Sequence, residues 1–248
     1  MLKVDIKQLI IKSMGTLLSE VKFELEKNKI YTILGANGSG KSTLIKSITG
    51  LLDKRFYSVN GTVLFEGKDI LTLEKEELLK LRREKIKYVF QDAVNSFDQL
   101  KKLGYCFEKL TIDNSEIDPL LKFFFLPGSA ELMKLYPYEV SGGMAQRINF
   151  VLVLLTHPQI VILDEPTSGV DMAISNLFLL KLREFAAGNS SSVLLVTHDL
   201  AFAQKISDKI AFLSNGKITD FYSPKEFFMI HNHQTLENFL NAHKQLAV

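Results

Sequence analysis

A chain of 248 residues with 46% hydrophobic content can bury a full core, and it fits one large α/β domain carrying an inserted piece better than two independent domains. Its 30 basic and 28 acidic residues leave a net charge of +2, which gives no footprint for nucleic acid, and the single Cys106 excludes an internal disulfide and suits a reducing compartment as an apolar filler. No apolar run approaches the length that spans a bilayer, and Met1–Ile6 has its charges in the wrong places for a secretion signal, so any membrane role is expected to come through a partner.

Residues 1–34 alternate apolar and polar positions (Val4, Ile6; Val21, Phe23, Leu25) with Glu26-Lys27-Asn28-Lys29 as a turn, which predicts an antiparallel edge leading into a buried strand over 29–34. Gly35-Ala36-Asn37-Gly38-Ser39-Gly40-Lys41-Ser42 then fits G-x-x-x-x-G-K-[ST], and Thr43–Ile48 opens a helix with one apolar face. Gly61–Gly67 reads as a short strand bounded by glycines. Leu73 to Arg83 is an amphipathic helix carrying Leu73, Leu78, Leu79 and Leu81, with its charges facing water, and Ile86–Gln91 is a strand ending in a polar residue. From Asp92 to about Leu155 consecutive helical patterns, with loop signals at Asp113-Asn114-Ser115 and Pro127-Gly128, predict a helical insertion between two core strands. Gln159–Leu163 (strand), Asp171–Phe185 (helix), Ser192–Thr197 (strand) and a helix from Asp199 form a βαβ pattern, hence a parallel sheet buried on both faces. The stretch from Ile210 through Gly216 to Ile218 reads as a hairpin, followed by two short helices.

The strand–loop–helix context of 29–48 is what a phosphate-binding loop requires. Glycines let backbone N–H groups face inward and, with the positive end of the helix, cradle the phosphates of a nucleotide. Lys41 adds a point charge and Ser42 a magnesium ligand. Asp164 and Glu165 follow an apolar strand at the carboxyl edge of the sheet, where such sheets present their catalytic groups. Asp164 is expected to hold magnesium through water and Glu165 to polarise an attacking water, whereas the plainer reading makes both carboxylates caps of the following helix. His198 ends the next strand, where an imidazole can bond a γ-phosphate or position water, or be structural. Gln91 ends another strand at the same edge, and its amide can touch both metal and water. Ser141-Gly142-Gly143-Met144-Ala145-Gln146-Arg147 is a second anion site at a helix start, and one nucleotide does not need two. A second copy of the chain does.

In this order the phosphate loop, Gln91, Ser141–Arg147, Asp164-Glu165-Pro166-Thr167-Ser168, Asp171 and His198 resemble the ATP-binding cassette (ABC) ATPases over nearly the whole chain. The resemblance implies a P-loop NTPase, RecA-like α/β core with an antiparallel β subdomain (residues 1–91 and 156–248) and an inserted helical signature subdomain (92–155). It implies that Gly35, Asn37, Gly38, Ser39, Gly40, Lys41, Ser42 and Thr43 bind ATP, that Ser42, Gln91 and Asp164 hold Mg²⁺, and that Glu165, His198, Gln91 and Lys41 serve catalysis. It further implies a head-to-tail dimer with an identical or paralogous ATPase subunit, in which Ser141, Gly142, Gly143 and Gln146 reach the partner's nucleotide and Asp171 couples the sites. Tyr136-Pro137-Tyr138, Gln91–Phe97 and His231–Leu236 are similar to the ATPase subunits of dipeptide, oligopeptide and nickel importers. On that reading the chain lies on the cytoplasmic face of the membrane and drives separate permease subunits, fed by an extracytoplasmic binding protein. The alternatives are a soluble cassette acting mechanically, or a weak-turnover half of a mixed pair. The residues around Phe97 to Leu103 would dock the membrane subunits. Phe123–Leu126 is either the core of the insertion or an exposed patch for the partner, and His231/His233 form either a metal pair or loop residues.

The chain also departs from the family pattern. Val140 and Val170 stand where leucine is usual, the insertion is shorter than in typical peptide importers, and the cysteine-bearing C-terminal extension common there does not follow. The aromatic ring that the family places before the phosphate loop to stack on adenine is missing, since that segment offers only Ile10, Ile11 and Met14. Base–aromatic stacking is worth about 1–3 kcal/mol in nucleic-acid complexes. Adenine binding is therefore expected to be weaker or less selective; equal affinities for ATP and GTP in a calorimetric titration would fit, and a strong preference for ATP would count against it.

Overall fold

The computed structural model describes residues 1–90, 96–110, 112, 114–167, 171–188, 191–229 and 239. Two sheets organise it. Strands β1 (Leu2–Ile11), β2 (Gly15–Leu25), β4 (Tyr57–Phe65) and β5 (Lys68–Asp69) form an antiparallel sheet in the order β2-β1-β4-β5. Strands β3 (Ile30–Leu34), β6 (Ile86–Val89), β7 (Ile160–Asp164), β8 (Ser192–Thr197), β9 (Lys209–Ser214) and β10 (Lys217–Ile218) form a second sheet in the order β10-β9-β3-β8-β7-β6, parallel except for β10. Every residue of β3, β7 and β8 is buried, as the uninterrupted apolar runs predict for parallel strands covered on both faces.

Helices cover the parallel sheet on two sides. On one side α1 (Lys41–Ile48) packs Leu44, Ile45 and Ile48 against Ile33, Ile160, Ile162, Leu194 and Val196, and this core continues into the antiparallel sheet through Leu2, Val4, Ile6 and Val63. On the other side α6 (Gly142–Leu155) and α7 (Met172–Gly188) pack Ile148, Val151, Phe178 and Leu182 against Val161, Leu163, Val193 and Leu195. Between β6 and β7 the chain forms α3 (Gly104–Glu108), α4 (Asn114–Phe123), α5 (Ser129–Leu132) and α6, joined to the second core through Phe107, Leu121, Phe124 and Leu132. Helix α2 (Lys75–Glu84) precedes β6, α8 (Leu200–Ile206) is capped by Asp199 accepting from the Phe202 N–H, and α9 (Pro224–Met229) follows β10.

Several expectations need correction. Gly61 does not bound a strand but lies inside β4, which begins at Tyr57. Leu79 is 53% exposed on α2, so only Leu78 and Leu81 of that helix pack inward. The hairpin strand β9 is also a member of the parallel sheet, paired with β3. Phe123–Leu126 divides: Phe124 is fully buried against Phe150 and Phe178, whereas Phe125 is 75% exposed with a positive φ of 52°. Of the two helices expected after the hairpin, α9 is present, and of the segment after it only the helical Phe239, packed on Phe212, is described; His231 and His233 lie outside the described residues.

The register between β1 and β4 shifts between Ile6 and Gln8, opposite Gly61, whose φ is +140°. A Cβ there would sit 2.2 Å from the Asp5 carbonyl oxygen and 2.7 Å from the Ile6 Cα, both immovable backbone atoms. This bulge therefore requires glycine. Gly61→Ala is expected to lower stability by about 1–3 kcal/mol, read as a lower urea midpoint at unchanged m-value. An unchanged midpoint would show that the strand can take an ordinary register.

Candidate nucleotide-binding site

The loop of residues 35–40 leaves β3 at the carboxyl edge of the parallel sheet and turns directly into α1, whose cap residue Gly40 has φ 100°. A left-handed cap with no side chain lets the first amides of the helix face the loop interior. Lys41 is 5% exposed, and its Nζ donates to the Gly35 carbonyl (2.8 Å) and the Ala36 carbonyl (3.1 Å). The same ammonium lies 3.4 Å from Glu165 Oε1. Asn37 and Gly38 are exposed, and Thr43 is half-buried one residue beyond Ser42.

Asp164 ends β7 and is 4% exposed. Its Oδ1 accepts from the Ser42 hydroxyl at 2.9 Å, and its Oδ2 accepts from the Tyr88 hydroxyl at 2.7 Å. Burial and the adjacent Asp164 carboxylate push the Tyr88 phenol up from its ordinary value, so it stays protonated and a donor. Glu165, 6% exposed, adopts a positive φ of 49°, while its backbone N–H donates to the Val196 carbonyl. Its Oε2 accepts from the Thr197 hydroxyl (2.9 Å) and the His198 backbone N–H (3.3 Å), and it lies 3.0 Å from His198 Nδ1. The His198 side chain is 46% exposed, so one ring edge is bonded to Glu165 while the rest meets solvent.

Sequence reasoning thus located Lys41, Ser42, Asp164, Glu165 and His198, and the fold brings all five together at one sheet edge. It missed Tyr88 and Thr197. Thr197 directly precedes His198 and was readable as a polar end to an apolar strand. Tyr88 offered only a phenol on a short strand that also carries Lys87. Gln91 and Val170 lie outside the described residues.

At the start of α6, Ser141 and Gly142 are exposed, and the Ser141 hydroxyl caps the helix by accepting from the Met144 N–H at 3.2 Å. Arg147 braces this turn, donating to the Gly143 carbonyl at 3.0 Å and the Phe124 carbonyl at 2.9 Å. Burial lowers the Arg147 pKa, and the Asp171 carboxylate opposes that shift. Gln146 does not join the exposed tip as expected. It is 5% exposed and donates to the Pro166 carbonyl at 2.7 Å, because it falls on the face of α6 turned toward the loop after β7. Asp171 caps α7 by accepting from the Ile174 N–H at 2.9 Å.

The residues present fit a magnesium nucleotide. The Ser39 hydroxyl is buried in the loop with no hydrogen-bond partner, an orphaned donor of the kind a phosphate oxygen satisfies. The Ser42 hydroxyl and Asp164 carboxylate offer only hard oxygen donors. These are ligands of the kind Mg²⁺ takes, a cation that usually keeps several waters and is held by one or two protein oxygens together with substrate phosphates.

Comparison with known proteins agrees with this geometry. Residues 18–168 match the family model described as ABC transporter. The dipeptide transport ATP-binding protein DppD of Bacillus subtilis is 32% identical over 232 residues, covering 90% of this chain and 69% of that protein. The oligopeptide transport ATP-binding protein OppD of Escherichia coli is 30% identical over 236 residues, 92% of this chain and 70% of that protein. Among solved structures, a dimeric bacterial ABC transporter cassette superposes with a TM-score of 0.74 at 25% identity, covering 90% of this chain and 99% of that one. The cbiO1 protein of Clostridium perfringens, described as part of an ABC transporter complex, superposes with a TM-score of 0.73 at 27% identity over 92% of this chain and 90% of that one. With the phosphate loop, the paired carboxylates and the two-sheet fold, these matches show that the chain belongs to the ABC transporter family, as an ATP-binding cassette.

Proposed function

We propose that this chain is the ATP-hydrolysing subunit of a membrane importer of peptides, working at the cytoplasmic face as one of two cassettes beside separate permease subunits. The observation that carries the hydrolytic reading is Glu165, held by Thr197 and His198 and set 3.4 Å from Lys41 at the mouth of the phosphate loop. The peptide reading rests on relatives named dipeptide and oligopeptide transport ATP-binding proteins. No helix among the described residues is long and apolar enough to cross a membrane, so the permease belongs to other chains in this scheme.

In this scheme residues 35–43 bind the triphosphate through loop amides, the Ser39 hydroxyl and Lys41. The phosphates give the Lys41 ammonium a second anion, which loosens its hold on Glu165. Glu165 then accepts the proton of the attacking water, with Thr197 and His198 fixing the orientation of its carboxylate. Ser42, Asp164 and Gln91 would hold Mg²⁺, whose charge neutralises the phosphates. Residues 92–155 act as the helical subdomain that presents Ser141, Gly142 and Gly143 to the nucleotide of a second cassette, identical or paralogous, with Asp171 at the junction. Leu100, 89% exposed within the Phe97–Leu103 stretch, supplies apolar surface for the permease, and an extracytoplasmic binding protein delivers the cargo.

Glu165→Gln is expected to retain ATP binding while lowering turnover by about 10²–10⁴-fold, and to accumulate an ATP-bound dimer on gel filtration. Turnover near the wild-type rate would remove Glu165 from the base role. Gly142 is exposed, and a Cβ there meets nothing within 4 Å, so Gly142→Asp leaves the isolated fold intact. This variant is expected to melt as wild type and bind ATP, yet fail to dimerise with ATP because its carboxylate faces the partner's phosphates. A persisting ATP-dependent dimer would show that the tip does not meet the nucleotide.

A further inference from the structure

Asp164 is almost wholly buried, and its two oxygens are engaged differently. Oδ1 accepts from the Ser42 hydroxyl at 2.9 Å, beside the phosphate loop, and Oδ2 accepts from the Tyr88 hydroxyl at 2.7 Å, from the opposite side. The sheet explains the reach. In the parallel pairing of β6 with β7, Tyr88 is level with Ile162, and Asp164 lies two residues further along on the same face. A tyrosine is long enough to cross that diagonal. Its ring is fixed by an edge-to-face contact with Phe90 at 4.4 Å and by packing with the core on the α1 side of the sheet. The phenol is thus a donor held in place by its own packing.

A carboxylate with one anchored oxygen cannot turn about its terminal torsion, which is otherwise broad and nearly twofold. Anchoring Oδ2 leaves Oδ1 directed at Ser42, and the cation is expected beside that hydroxyl. Hydrogen bonds from outside the ligand set commonly orient metal-holding carboxylates in this way.

We propose that Tyr88 is a positioning residue for the divalent cation: its hydroxyl locks the Asp164 carboxylate toward Ser42 and so sets how tightly the nucleotide-loaded site holds the metal. This rests on the reading of Asp164 as a cation-holding group. Tyr88→Phe removes the donor and keeps the ring contact with Phe90.

The test titrates Mn²⁺ into the full chain with a nonhydrolysable ATP analogue, following free metal by electron paramagnetic resonance, and measures analogue affinity in EDTA in parallel. Tyr88→Phe is expected to weaken Mn²⁺ binding about tenfold while the affinity in EDTA stays within twofold of wild type. In steady state the Mg²⁺ concentration for half-maximal turnover should rise by a similar factor, with little change in the rate at saturating Mg²⁺. An unchanged ratio of affinities with and without metal overturns the proposal, whether or not the melting temperature falls, because a purely structural role weakens both alike. Asp164→Asn separates the two ideas. If it loses Mn²⁺ while Tyr88→Phe does not, only the role of Tyr88 fails, and if neither variant changes Mn²⁺ affinity, the assignment of Asp164 fails with it.

Discussion

Two adjacent carboxylates, Asp164 and Glu165, stand almost fully buried at the end of β7, and the site is arranged around satisfying them. An ionised carboxylate removed from water is very costly unless it is bonded on all sides, whereas each hydrogen bond to such a charge returns about 1.5–3 kcal/mol. The partners arrive from three places: Lys41 and Ser42 at the start of α1, Tyr88 on β6, and Thr197 and His198 at the end of β8. The parallel order β3-β8-β7-β6 brings those termini to one edge. The unusual φ of Glu165 belongs to the same constraint, since it lets two consecutive side chains point to different partners while the backbone N–H still bonds β8.

This arrangement gives the two carboxylates distinct work. Asp164 accepts from two hydroxyls, while Glu165 faces Lys41, Thr197 and His198. On the proposed reading the first carboxylate serves the metal and the second the water. The division follows from the β7 alternation, which sends Asp164 toward α1 with Ile160 and Ile162, and from the kink at Glu165, which turns the next side chain toward β8.

What could be read from the chain was whatever is local or repeats with a fixed period. The phosphate loop is contiguous, the buried strands are unbroken apolar runs, and Asp164, Glu165 and His198 each end such a run. Tyr88 escaped because its partner is fixed by the register between β6 and β7, a property of two segments more than 70 positions apart in the numbering. The bulge at Gly61 escaped for the same reason, since its cause is the Asp5 carbonyl on another strand. Gln146 was misjudged by helical phase: Ser141 and Gly142 at the start of the motif are exposed, but 100° per residue carries Gln146, like Ala145 before it, to the buried side. Phe125 differs from Phe124 through a single left-handed residue that no periodicity announces.

The placement of Gln146 ties the exposed tip to the chemistry. Ser141 and Gln146 belong to one helix and its cap, about one and a half turns apart, and Gln146 is bonded to the Pro166 carbonyl, one residue beyond Glu165. Arg147 fastens the other side of the same turn to Phe124, whose ring is buried with Phe150 and Phe178. The tip is therefore presented by a helix packed too densely to bend, because buried side chains at native density transmit displacement rather than absorb it. A shift of α6 along its axis must move the Pro166 carbonyl or break a buried hydrogen bond, and leaving such an amide unsatisfied costs about 1–3 kcal/mol. Whatever ligand engages the serine and glycines at the tip thus bears mechanically on the loop that holds Glu165, through one helix and one hydrogen bond.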